Sequence, residues 1–152
     1  MPSTSPTSPI SPISDIDLAA SLGTQVSRMV KVMRKQSRNE DLLSLTERST
    51  LVRLADHGEQ LPGELAAMEK VSTQAMSQVL NHLLELGHIL RTPSTEDGRK
   101  VIVTITDAGR HWVRQCRTEK QEWLTRTITE KLNAREKQTL ADAVYVLTKL
   151  IG

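Results

Sequence analysis

The stretch Ser72-Thr73-Gln74-Ala75-Met76-Ser77-Gln78-Val79-Leu80-Asn81-His82-Leu83-Leu84-Glu85-Leu86-Gly87 decides the fold. Its spacing predicts a helix capped by Ser72 and ending at Leu86-Gly87. At about 100° per residue, Ala75, Met76, Val79, Leu80, Leu83 and Leu84 cover one half of the circumference. Gln74, Ser77, Gln78, Asn81 and His82 take the other half, with Thr73 at the boundary. That polar half holds no carboxylate, and Glu85, in the last turn, is the helix's only charged residue. A merely solvated face usually carries Glu and Lys, which favour helix and keep proteins soluble. Amides and hydroxyls in their place suit a surface made to hydrogen-bond a partner.

Toward the C-terminus come two β-like runs, His88-Ile89-Leu90-Arg91 and Lys100-Val101-Ile102-Val103-Thr104-Ile105, joined by a polar connection ending in Gly98-Arg99. They predict an antiparallel hairpin with an exposed loop. Thr106 then caps a long helix, with Asp107 in its first turn and Trp112, Cys116, Trp123, Leu124 and Ile128 on its buried side. Asn133-Ala134-Arg135-Glu136 reads as a capping box for a last helix striped by Leu140, Val144, Leu147 and Ile151.

Toward the N-terminus, Pro62 fits the first turn of a short helix that stops near Glu69-Lys70. Glu64 suits the positive end of that helix. Before it, a helix capped by Thr46 carries Leu51, Val52, Leu54 and Ala55 and ends at His57-Gly58. Leu22, Val26, Met29, Val30 and Met33 mark one face of a first helix, broken over residues 39–45. Arg28, Lys31, Lys35 and Arg38 lie opposite that face, as on any amphipathic surface helix. Residues 1–14 interleave four prolines with Ser and Thr and carry no basic side chain, which predicts a disordered tail.

The whole chain has 152 residues, 20 Lys plus Arg, 18 Asp plus Glu and a net charge of +2. That length fits one domain, over residues 15–152. The single Cys116 excludes an intramolecular disulfide and a Cys-based structural zinc. No apolar run approaches the ~20 residues of a membrane span and no signal peptide is evident, so a cytoplasmic location with no membrane partner is expected. There is no Gly-rich phosphate loop, metal triad or Ser elbow, so neither an enzyme nor a cofactor is expected. Asp107 and His111 stand four apart on a helix, but two ligands do not make a metal site.

Helix, short helix, turn, polar-faced helix and hairpin, in that order, describe a winged helix-turn-helix: mainly α with a short β-hairpin wing. A helix fits the major groove of double-stranded DNA, where base edges present distinct donors and acceptors. Gln74, Gln78 and Asn81 both donate and accept, as adenine requires. Ser72, Thr73 and Ser77 suit phosphates or base edges at the helix N-terminus. Arg99, at the hairpin tip, suits a narrow minor groove. Asp97 either orients that arginine or serves as a turn residue. His82, Arg91 and Lys100 complete the candidate contacts, Arg91 pairing either with a phosphate or with a nearby acid.

At these residues the chain resembles the MarR family of transcriptional regulators. Asp97-Gly98-Arg99-Lys100, the following strand and Thr106-Asp107-Ala108-Gly109 match the family's wing signature: Asp, any residue, Arg, a strand, then Thr, two residues and Gly. Residues 65–77 are similar to its helix-turn-helix, and Leu84-Glu85-Leu86-Gly87-His88-Ile89 to the end of its recognition helix. Two positions depart from the pattern. Lys70 stands where Gly is common, and Leu61 where a capping Thr or Ser is common.

The resemblance implies a homodimer joined through helices in residues 15–45 and 107–152, flanking a winged lobe at 46–106. The apolar Leu147, Leu150 and Ile151 at the chain's end are consistent with a partner. It also implies a roughly palindromic operator, repression, and release by a small aromatic effector in a cavity that Trp112 could border. Two alternatives stay open. Residues 46–110 hold seven basic and nine acidic side chains, a net of −2, which suits a winged helix that binds protein. Cys116 could sense oxidants, although a lone Cys on an apolar face usually packs as a small hydrophobe.

Overall fold

A computed structural model of the protein describes residues 12–36 and 42–152. The tail expected over residues 1–14 falls mostly outside the described residues, as do Arg38 and part of the expected break at 39–45. The chain divides after Lys35 into two compact units.

The first unit carries α1 (Asp15–Arg34). Ser14 caps it, its hydroxyl accepting the Asp17 amide at 3.2 Å. Asp15 and Asp17 in the first turn and Lys31 and Arg34 in the last complement the helix dipole. None of its residues is buried. It ends before Asn39, earlier than the expected break.

The second unit runs α2 (Leu45–His57), α3 (Pro62–Met68), α4 (Thr73–Glu85), β1 (Ile89–Pro93), β2 (Val101–Ile105), α5 (Asp107–Lys131) and α6 (Ala134–Ile151). Its core gathers Leu51 and Leu54 of α2, Leu65 and Ala66 of α3, and Met76, Leu80 and Leu83 of α4. Ile89, Val103 and Ile105 from the strands and Trp112 and Val113 from α5 complete it. Each fully buried aliphatic contributes about 1.5–3 kcal/mol over exposure. Four apolar residues of α4 point inward as expected, Met76, Leu80 and Leu83 fully and Val79 against the cluster, but Leu84 stays 39% exposed at the edge of the polar face.

Helix α2 starts differently from expectation. Its cap is Ser44, not Thr46: the Ser44 hydroxyl accepts the Glu47 amide and Glu47 accepts the Ser44 amide, a complete capping box. Ser44-Leu45-Thr46-Glu47 has the box's spacing, and a reciprocal pair of bonds outweighs the lone hydroxyl of Thr46. Leu45, placed in the expected break, is therefore the first residue of the helix. At α3 the missing cap is real. Leu61 offers no side-chain acceptor, and Glu64 supplies half a box by accepting the Leu61 amide at 3.0 Å.

The strands pair antiparallel with Ile89 opposite Ile105 and Pro93 opposite Val101. β1 begins one residue after His88 and continues past Arg91, while Lys100 falls in the loop. Gln60, between α2 and α3, exchanges both backbone bonds with Val103 (3.1 and 2.9 Å), fastening the wing's base to the lobe. Thr106 caps α5 as expected and its hydroxyl also donates to the Gly87 carbonyl at 2.7 Å. Trp112 is buried, whereas Cys116, Trp123, Leu124 and Ile128 are half-buried. α6 opens on the expected Asn133–Glu136 box and buries none of its residues.

Candidate nucleic-acid interface

Two turns of the same kind hold α4. Helix α3 ends with the Val71 amide on the Ala66 carbonyl and the Lys70 amide on Ala67, and α4 ends with His88 on Leu83 and Gly87 on Leu84. Both patterns are Schellman motifs, which need a left-handed residue just past the helix. At the end of α4 that residue is Gly87, at φ 75°. In the helix-turn-helix it is Lys70, at φ 54°, where a Cβ strains the backbone. The departure at Lys70 is thus a left-handed lysine on the exposed turn preceding α4.

Ser72 caps α4, its hydroxyl accepting the Ala75 amide at 3.1 Å, and no acid occupies the first turn. The positive end of the helix is therefore uncompensated, as an approaching phosphate requires. Thr73, Gln74, Ser77, Gln78 and Asn81 are all exposed along one arc, free of side-chain partners among the described residues. The structure brings these five together as the sequence spacing implies.

His82 lies at the margin of that arc and behaves differently. Its Nδ1 sits 2.6 Å from Oε1 of Glu47, which is 8% exposed. Burial raises the Glu47 pKa, but the Ser44 amide bond, the bonds from the His82 ring and the Ser44 hydroxyl, and the charge of His82 together hold it below the usual carboxylate value. Glu47 escaped the sequence reading because its partner stands 35 residues away. The Ser44–Glu47 spacing was the signal for the cap that the choice of Thr46 passed over, and no local spacing reveals the bond to His82.

The loop between the strands is internally tied. The Ser94 hydroxyl accepts the Glu96 and Asp97 amides, and the Lys100 amide donates to the Asp97 carbonyl. The Asp97 carboxylate accepts the Arg99 backbone amide at 3.1 Å, so Asp97 shapes the turn. Arg99 and Lys100 are exposed, and neither forms an ion pair among the described residues. Arg91 stands apart from this tip: it is half-buried on β1 opposite Val103, with its Nε buried and unpartnered. Trp112 packs against His88 with ring centroids 6.3 Å apart, 8% exposed within the lobe's own core.

The MarR family model matches residues 43–101, from the start of the lobe to the second wing strand. An HTH-type transcriptional regulator of Mycobacterium leprae, ML2140, is 33% identical over 137 residues, covering 90% of this chain and 94% of its own. The chain belongs to the MarR family. The multiple antibiotic resistance protein MarR of Salmonella typhimurium is 33% identical over 90 residues, covering 59% of this chain and 60% of its own. The crystal structure of Rv1404 from Mycobacterium tuberculosis superposes with a TM-score of 0.78 at 23% identity, covering 97% of both chains, a likeness of fold. This MarR-family protein is thus a transcriptional regulator, not an enzyme. Among its described residues no helix is long and apolar enough to cross a membrane.

Proposed function

We propose that this MarR-family regulator is a cytoplasmic homodimer that binds a roughly palindromic operator and represses transcription until a small aromatic effector releases it. Ser72, Thr73, Gln74, Ser77, Gln78, Asn81 and His82 form the major-groove face, and Arg99, with Lys100 beside it, enters the adjacent minor groove. Asp97 holds the turn that carries Arg99, and Arg91 backs the wing. A two-fold dimer places its reading helices about 34 Å apart, one turn of DNA, which is why the operator repeats. The observation that carries the reading is the exposed, carboxylate-free amide and hydroxyl arc of α4, together with an exposed arginine at a hairpin tip that forms no ion pair among the described residues. Dimerisation is supported by α6, which buries nothing while Val144, Leu150 and Ile151 are 54%, 68% and 85% exposed. Repression and effector release rest on family likeness, with Trp112 the candidate pocket residue.

The net charge of −2 over residues 46–110 favours a second reading, a winged lobe that binds protein. Arg99→Ala separates the two. In a gel-shift on the protein's own upstream region, it should weaken binding about tenfold or more without changing the oligomeric state. Unchanged affinity, or equal competition by unrelated duplex against the wild type, defeats the operator reading.

A further inference from the structure

Resting on that reading of α4, one residue of its face differs from the rest. His82 is 43% exposed at its side chain, yet its Nδ1 is committed to a nearly buried carboxylate. Glu47 uses both oxygens, Oε2 accepting the Ser44 amide at 2.6 Å and Oε1 meeting the ring at 2.6 Å. An ionised carboxylate only accepts, so the ring presents Nδ1–H to it. The variable nitrogen is then Nε2, on the ring edge away from Glu47. In the neutral ring Nε2 is an acceptor and has nothing to offer a phosphate oxygen. In the protonated ring it becomes a donor carrying charge, which forms the stronger, charge-assisted kind of bond.

We propose that His82 is a proton-dependent contact to the DNA backbone, and that Glu47 is the positioning residue that fixes its tautomer and aims its Nε2 outward. DNA binding then takes up a proton at each His82: the Nε2–H···phosphate bond forms as the ring gains a proton from solvent. The depressed Glu47 pKa means that its carboxylate stays ionised throughout the range in which imidazoles titrate. Four of the other charged groups on the elements packed against α4 have their own engagements. Arg48 donates to the Leu43 carbonyl, Arg53 pairs with Glu69, Asp56 with Arg117, and Glu64 holds the Leu61 amide. Arg91 is half-buried on β1, His57 is exposed at the far end of α2, and Glu85 lies three residues along α4 itself.

The test uses the full-length protein and a duplex that it enriches from a random-sequence pool. Fluorescence anisotropy follows Kd between pH 8 and 6 at constant salt, and circular dichroism monitors folding. Wild-type Kd should fall on acidification by roughly threefold per protomer, about tenfold for a dimer, as expected for a half-exposed charge contact. His82→Gln should bind with no such slope. His82→Lys, cationic throughout and still opposite Glu47, should be flat near the wild type's affinity at pH 6. Glu47→Gln, which can still accept the Ser44 amide, should lose most of the slope. A wild-type slope in His82→Gln overturns the contact, and one in Glu47→Gln overturns the positioning role. Enrichment of no duplex at any pH is a different failure, which overturns the α4 reading and this inference with it.

Discussion

Replacing Gly109 with alanine tests how the wing, α4 and α5 are joined. A Cβ at position 109 would collide with the His88 carbonyl oxygen and stand 2.7 Å from Cγ1 of Ile105 and 3.2 Å from the His88 carbonyl carbon. The first of these is backbone, fixed between the end of α4 and the start of β1, so it cannot turn aside as a side chain would. Moving it strains the Thr106 amide bond to the His88 carbonyl (3.0 Å) and the Thr106 hydroxyl bond to the Gly87 carbonyl (2.7 Å). Overpacking costs about 1–3 kcal/mol. Weakening two hydrogen bonds adds about 1–2 kcal/mol. Alanine's helix preference returns at most about 1 kcal/mol. The net expectation is a loss of about 1–4 kcal/mol, measured by urea denaturation at fixed protein concentration with the slope m unchanged. Gly63→Ala is the control, because that Cβ meets nothing within 4 Å inside α3. It should be neutral or stabilising by up to about 1 kcal/mol. A Gly109→Ala protein within about 0.5 kcal/mol of the wild type would refute the close-approach reasoning, since surface substitutions fall in that range.

Two further outcomes follow from strain and burial. Lys70→Gly should raise stability by about 0.5–1 kcal/mol: the left-handed penalty of about 1–2 kcal/mol disappears, partly offset by glycine's greater entropy in the unfolded chain. A lower urea midpoint for Lys70→Gly would contradict that. Burial depresses the pKa of His88, whose Nδ1 is buried without a partner. The folded protein therefore takes up this proton at lower pH than the unfolded chain. The His88 contribution is full above the ordinary histidine value of about 6.5 and is lost as pH falls from there toward the depressed folded value. Thermal melts at successive pH values should show a smaller decline over that window for His88→Gln than for the wild type. Parallel curves would show that His88 is not the group responsible. Glu47, with its depressed carboxyl, contributes in a separate window: its stabilisation is present above the ordinary carboxylate pKa and is lost only in stronger acid.

Much of the lobe was legible because the information is local. The α4 cap at Ser72, Pro62 at the start of α3, the Thr106 cap and the Asn133–Glu136 box each rest on residues within one helical turn. Periodicity alone placed Met76, Leu80 and Leu83 inside, and Gln74, Ser77, Gln78 and Asn81 outside. It failed at Leu84, on the border between the halves, where only the neighbouring elements decide which side is covered. It also let Thr46 stand for Ser44, because two hydroxyls bracket the same helix start and only reciprocal bonding separates them.

The amino-acid order by itself settled the sequence of elements, the polar arc and the arginine-tipped hairpin, since each follows from side-chain chemistry and short-range spacing. Tertiary structure alone decided the rest. It set Glu47 beneath His82 across 35 residues, fastened Gln60 to Val103, and pressed Gly109 against the His88 carbonyl. Such contacts depend on distances between elements far apart in the chain, and those distances are fixed only when the core residues of α2–α5 close around one another.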